Sequence, residues 1–139
     1  MYEPTFESLS TRQIPKWFLD AKFGVFSHWT VGSVPSFAPT GKDPFTLARE
    51  EGEAKAFSHT PYAEWYWNSI SIPGSPAAEH HAKVWGNCEY DVFVERFLEA
   101  SQNWDPAHWQ QVLAASGAKY CVMVTKHHDG VLLWPSDVP

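Results

Sequence analysis

The chain has 139 residues, 44% of them hydrophobic, and a formal net charge of -6. That is enough for one ordinary domain with a real core and too apolar for a disordered chain. The negative charge argues against nucleic acid or an anionic membrane as a partner, and no apolar run is long enough to span a bilayer.

Met1 to Ser10 has neither a basic n-region nor an apolar h-region, so no secretory signal is expected there and no compartment follows. Two cysteines, Cys88 and Cys121, do not make a disulfide framework, and nothing in their spacing demands a bridge. Cys121 lies in an apolar run and reads as a small buried residue. Eight tryptophans are more than a small core needs. Trp offers a flat apolar face with a polar handle, as ligand pockets require.

Residues 15–19 predict a short helix with Pro15 in its first turn. Residues 21–29, rich in apolar and aromatic side chains, predict a strand ending on Ser27-His28-Trp29. Residues 30–88 are broken repeatedly by Pro and Gly and show no sustained period. They are expected to form a long, ordered loop held by its aromatics, with helical turns around Asp43–Phe57. His80 and His81 are expected to face solvent there.

Tyr90, Phe93, Val94, Phe97 and Leu98 recur at helical spacing, which predicts a helix over 90–101, with Asp91, Glu95 and Glu99 on its polar side. Residues 105–116 predict another. Asp105 suits its N-cap, Pro106 its first position and Gly117 its C′ position. Trp109, Val112 and Leu113 mark its apolar face and His108 its surface. Residues 119–125 are nearly continuous in apolar and β-branched side chains, as buried parallel strands are. Strand, long excursion, helix and strand make a βαβ unit with a right-handed crossover.

Both strands finish on polar residues: Ser27-His28-Trp29, and Thr125-Lys126-His127-His128-Asp129-Gly130. Ligand sites of parallel α/β folds lie at the carboxyl ends of strands. Neighbouring strands about 4.8 Å apart would bring His28 and the His127/His128 pair to one rim. Such a cluster suits a metal or a polyol. Adjacent histidines in a regular strand point to opposite faces, so sharing an ion needs a bend, and no His-Glu-x-x-His or Cys-x-x-Cys spacing occurs. Imidazoles donate to and accept from hydroxyls, and Glu64-Trp65-Tyr66-Trp67 offers aromatic faces for the apolar side of a sugar ring. Asp129 before Gly130 reads as a turn or capping residue.

Three blocks resemble the α-L-fucosidases of glycoside hydrolase family 29. They are Trp17-Phe18-x-Asp20-Ala21-Lys22-Phe23-Gly24-Val25-Phe26-x-His28-Trp29 with Ser33-Val34-Pro35, then Glu64-Trp65-Tyr66, then 117–130 with Leu133-Trp134-Pro135-Ser136. Thr30 and Val131 stand where the family usually has Gly and Phe, and residues 36–61 look longer than its loop.

The resemblance implies an α/β fold, the N-terminal portion of a (β/α)8-like TIM barrel that is incomplete in this chain. It implies a fucosylated glycan or small fucoside as substrate, hydrolysed with retention, and no metal or organic cofactor. His28, Glu64, Trp65, His127 and His128 are the implied substrate-binding residues. Retention needs two carboxylates about 5–5.5 Å apart, and a whole barrel needs about 250 residues. The family's nucleophile and acid/base lie beyond its second strand, so no catalytic residue is expected in this chain and the isolated chain is expected to be inactive. A non-catalytic fucose-binding module is the competing expectation.

Overall fold

The computed structural model describes residues 2–137. In chain order it contains α1 (Phe6–Ser10), α2 (Lys16–Ala21), β1 (Val25–Ser27), a 3-10 turn (Val31–Ser33), α3 (Pro44–Glu51) and α4 (Glu53–Ser58). A second 3-10 turn (Ala63–Trp65), α5 (Tyr66–Ile70), α6 (Pro76–Trp85), α7 (Asp91–Ser101), α8 (Pro106–Ala115) and β2 (Cys121–Met123) follow. The two strands form a two-stranded parallel sheet. No helix among the described residues is long and apolar enough to cross a membrane.

The chain falls into two compact units. One holds the residues up to Phe26 with Pro106–Val122, and therefore α1, α2, α8 and the first residues of both strands. Its ladder runs from Lys119 N to Phe23 O (2.9 Å) and from Val25 N to Tyr120 O (3.0 Å). The Tyr120 ring packs against Trp17 and Phe18 and against the backbone of Gly24, where a Cβ would collide with it. The expected helices at 15–19 and 105–116 are present as α2 and α8. Helix α8 starts on Pro106, and Gly117 follows it at φ +86, a left-handed conformation that Gly adopts without a Cβ penalty. His108 is exposed on its surface, as expected.

The other unit holds Ser27–Asp105 and the residues from Met123 onward. Its core is Val31, Tyr66, Ala77, Tyr90, Phe93 and Phe97, with Trp29, Trp85, Val131 and Leu133 among the partly buried residues packed on it. The apolar stripe read over 90–101 lies along α7 and supplies Phe93 and Phe97. Burying a side chain such as Phe93 contributes about 1.5–3 kcal/mol. Asp91, Glu95 and Glu99 are exposed on the same helix, as their spacing implies.

Several expectations are corrected. Residues 30–88 are largely helical rather than an irregular loop. The helices there have only 5–10 residues each, too few turns for a 3.6-residue period to show. Their caps carry the signal instead. Asp43 accepts from Phe45 N and Thr46 N before Pro44-led α3, and Ser75 accepts from Ala78 N before Pro76-led α6. The helical turns expected at 43–57 are α3 and α4.

The strands are three residues each, and β2 is mostly exposed, so neither it nor Cys121 is buried. An apolar run is buried on both sides only where layers cover both faces of its sheet. Both cysteines are free. His81 does not face solvent: it is 5% exposed on α6, between Tyr66 Oη (3.1 Å from Nδ1) and the Cys88 carbonyl (2.8 Å from Nε2). His80 stacks on Phe37 with ring centroids 3.8 Å apart.

Candidate functional site

The site forms where the chain leaves β1 and β2. Val124 N donates to Ser27 O at 3.0 Å, which sets the two strand ends side by side. Beyond β2 the chain reverses. Lys126 bridges antiparallel to Leu132, Leu133 N donates to Thr125 O (3.1 Å) and Gly130 N to His127 O (3.0 Å). Gly130 completes the turn at φ +74. This reversal supplies the bend that adjacent histidines need in order to share a site. The His127 and His128 rings are 4.2 Å apart, and His28 meets His127 edge-on at 5.0 Å. The rim predicted from the strand ends therefore exists.

Glu64 and Trp65 arrive from the second 3-10 turn. The first 3-10 turn packs against it so closely that a Cβ on Gly32 would lie 2.5 Å from the Ala63 carbonyl oxygen. Trp65 meets His128 edge-on at 5.4 Å and stacks with Phe57 at 6.1 Å. A cavity of about 550 Å3 opens here, lined by Glu64, Trp65, His128, Asp129, Phe57, Trp67, Asn68 and Ser71. That volume is ordinary for a small-molecule site.

Of the residues predicted from the sequence, Glu64, Trp65 and His128 line the cavity directly. His127 and His28 continue from His128 as a chain of ring contacts. Tyr66, grouped with its neighbours in the sequence, turns away: it is 1% exposed in the core. Its burial pushes its hydroxyl pKa up to about 12. Phe57, Asn68 and Ser71 were not anticipated. Only the helical folding of α4 and α5 brings them to the cavity.

Two electrostatic features shape the site. Burial holds the His127 pKa below the usual histidine value, helped by His128 and His28, while Glu64 and Asp129 act in the opposite sense. Its Nδ1 is buried without a hydrogen-bond partner. A neutral imidazole can donate from one nitrogen and accept at the other, which suits a hydroxyl. Asp129 is the turn residue its sequence context suggests: Oδ1 accepts from Val131 N (3.1 Å) and Oδ2 from Val31 N (2.9 Å). Both oxygens are engaged with backbone. Among the described residues no group of three or more His, Cys, Asp or Glu could hold a metal ion.

A parallel strand pair ending in imidazoles beside an aromatic-walled cavity defines an α/β protein with a candidate polar site at its strand ends. Comparison with known proteins narrows the class. The alpha-L-fucosidase family model matches residues 1–139, and the chain belongs to that family. It is 36% identical over 140 residues to the alpha-L-fucosidase of Dictyostelium discoideum, covering 98% of this chain and 26% of that protein. The plasma alpha-L-fucosidase of Homo sapiens is 35% identical over 139 residues, covering 98% and 24%. The crystal structure of the Thermotoga maritima alpha-fucosidase in complex with fucose superposes with a TM-score of 0.80 at 42% identity, covering 99% of this chain and 29% of that one. The chain thus spans about a quarter of the length of the curated relatives it matches.

Proposed function

We propose that this chain carries the fucose-binding part of a retaining α-L-fucosidase and is the N-terminal portion of its (β/α)8-like barrel. The reading is carried by one observation: Glu64, Trp65 and His128 line a single cavity, with His127 and His28 in ring contact behind them. The imidazoles and the Glu64 carboxylate bind sugar hydroxyls, and the Trp65 ring covers the apolar side of the pyranose. Family membership supports terminal α-L-fucose as the sugar.

Retaining hydrolysis needs a nucleophile and an acid/base about 5–5.5 Å apart. In the cavity, Asp129 is tied to two backbone amides and Glu64 serves as a hydroxyl acceptor. The isolated 139-residue chain accordingly binds the sugar and does not cleave it.

The test is to titrate the purified chain with L-fucose, following the side-chain NMR signals of Trp65 and His128, and to assay it with 4-nitrophenyl α-L-fucoside. Saturable shifts that disappear in His128→Ala, without nitrophenol release, are expected. Absence of any fucose-dependent shift overturns the sugar reading. Turnover that is abolished by His28→Ala overturns the assignment of binding without chemistry.

A further inference from the structure

His81 does not line the cavity, yet it is tied to the turn that carries Glu64 and Trp65. It lies on α6 and is 5% exposed. Its Nδ1 stands 3.1 Å from the Tyr66 hydroxyl and its Nε2 2.8 Å from the Cys88 carbonyl. Tyr66 follows Trp65 directly and is the first residue of α5. Its N–H closes the second 3-10 turn by donating to the Ala63 carbonyl.

The partners fix the direction of this chain of bonds. A carbonyl only accepts, so Nε2 carries the proton. Nδ1 of the neutral ring is then the acceptor, and the Tyr66 hydroxyl donates to it. Burial keeps that hydroxyl protonated, with its pKa pushed up to about 12. A half-turn of the imidazole would put carbon at both positions and lose both bonds. The ring also meets Tyr66 and Phe93 edge-on, at 5.9 and 5.7 Å. A leucine would fill the same place, because apolar packing is non-directional. An imidazole is costlier to bury, and what it adds is two bonds of set length and orientation.

Those bonds act on a turn that is fixed at its other end too. The Ala63 carbonyl lies against Gly32. Below the turn, Ser75 Oγ donates to the Ser69 carbonyl at 2.6 Å and accepts from Ala78 N, which joins the end of α5 to the start of α6. Glu64 and Trp65 are therefore held between two anchored residues, Ala63 and Tyr66, while their side chains reach the cavity and Trp65 meets His128.

Resting on the fucose reading of that cavity, we infer that His81 is a positioning residue of the sugar site. Through Tyr66 it sets where Glu64 and Trp65 stand relative to His128, and it touches no sugar itself.

The experiment compares the wild-type chain with Tyr66→Phe, His81→Leu and the double variant. Fucose affinity, stability in urea and the Trp65 indole NMR signal of the unbound chain are measured. Each single variant leaves one buried partner unmet and is expected to lose stability. Each is also expected to bind fucose about tenfold more weakly, the scale of one lost hydrogen bond. The Trp65 signal moves before any sugar is added. In the double variant neither residue faces a missing partner, so most of the lost stability returns. Fucose affinity and the Trp65 signal do not return with it.

Recovery of affinity together with stability in the double variant shows a role in the core alone and overturns the positioning role. So does wild-type affinity in Tyr66→Phe, the mildest change, which decides the matter if the variants at His81 do not fold. Both results leave the sugar site standing, since His128 still shifts with fucose. If fucose moves neither His128 nor Trp65 in the wild-type chain, the sugar reading fails and the positioning role falls with it.

Discussion

The Asp129 carboxylate accepts a hydrogen bond from the backbone N–H of Val31 at 2.9 Å, tying together segments 98 residues apart. Val31 is fully buried, so its N–H has no recourse to water. The bond fixes the turn that carries His127 and His128 against the segment that follows His28. Asp129→Ala strands a buried donor, and urea denaturation is expected to show a loss of about 1–3 kcal/mol. Asp129→Asn keeps one acceptor oxygen and is expected to lose less. Unchanged stability in Asp129→Ala would mean that the bond does not organise the rim.

Gly32 is where the two 3-10 turns meet. A methyl group there would lie 2.5 Å from the Ala63 carbonyl oxygen, a backbone atom that cannot swing aside. Gly32→Ala is expected to destabilise the fold by about 1–3 kcal/mol, as overpacking does. It should also displace the turn bearing Glu64 and Trp65, weakening fucose binding and changing Trp65 fluorescence. Normal binding in a destabilised variant would separate the packing role from the site.

The Tyr66 hydroxyl and His81 Nδ1 lie 3.1 Å apart in the core. Tyr66→Phe leaves the imidazole nitrogen unpartnered beneath the second 3-10 turn. Thermal unfolding is expected to report a cost of about 1–3 kcal/mol. Replacing exposed His108 by Gln serves as the control and is expected to change stability by less than about 0.5 kcal/mol.

His127 titrates below the ordinary histidine value because burial disfavours its imidazolium, with His128 and His28 adding repulsion. The unfolded chain therefore binds a proton here at higher pH than the folded chain does. Stability is fully present above the unfolded pKa of about 6.5, and is lost as pH falls from there to the lower folded value. An NMR titration should give His127 a midpoint below the ordinary histidine value of about 6.5. His127→Gln should flatten the dependence of stability on pH in that window. A His127 midpoint at or above that ordinary value would contradict the assignment.

Much of this was legible in the residue order, for identifiable reasons. Helix α7 announces itself because Tyr90, Phe93, Val94, Phe97 and Leu98 recur at helical spacing, and α8 because Pro106 and Gly117 bracket it. His28 and the His127/His128 pair were placed on one rim because neighbouring parallel strands bring their carboxyl ends together. The short helices of 30–88 were hidden, since five to ten residues give too few turns to establish a period. His81 was misplaced for the same cause. Outside a recognised helix its two partners, Tyr66 and the Cys88 carbonyl, cannot be foreseen.

The sequence alone determined which chemical groups stand at the strand ends, because strand termini and helix caps depend on a few neighbouring residues. It also determined the family, through ordered blocks of residues that local pattern preserves. Only the tertiary structure decided which of these groups meet. The reversal at 125–133 turned two adjacent histidines into one cluster, and the packing of Gly32 on Ala63 brought Glu64 and Trp65 beside them. The packing of α5 on α6 set the Tyr66 hydroxyl against His81. Cavities and ring contacts join residues far apart in the chain, and their geometry is fixed by close packing, which no local pattern records.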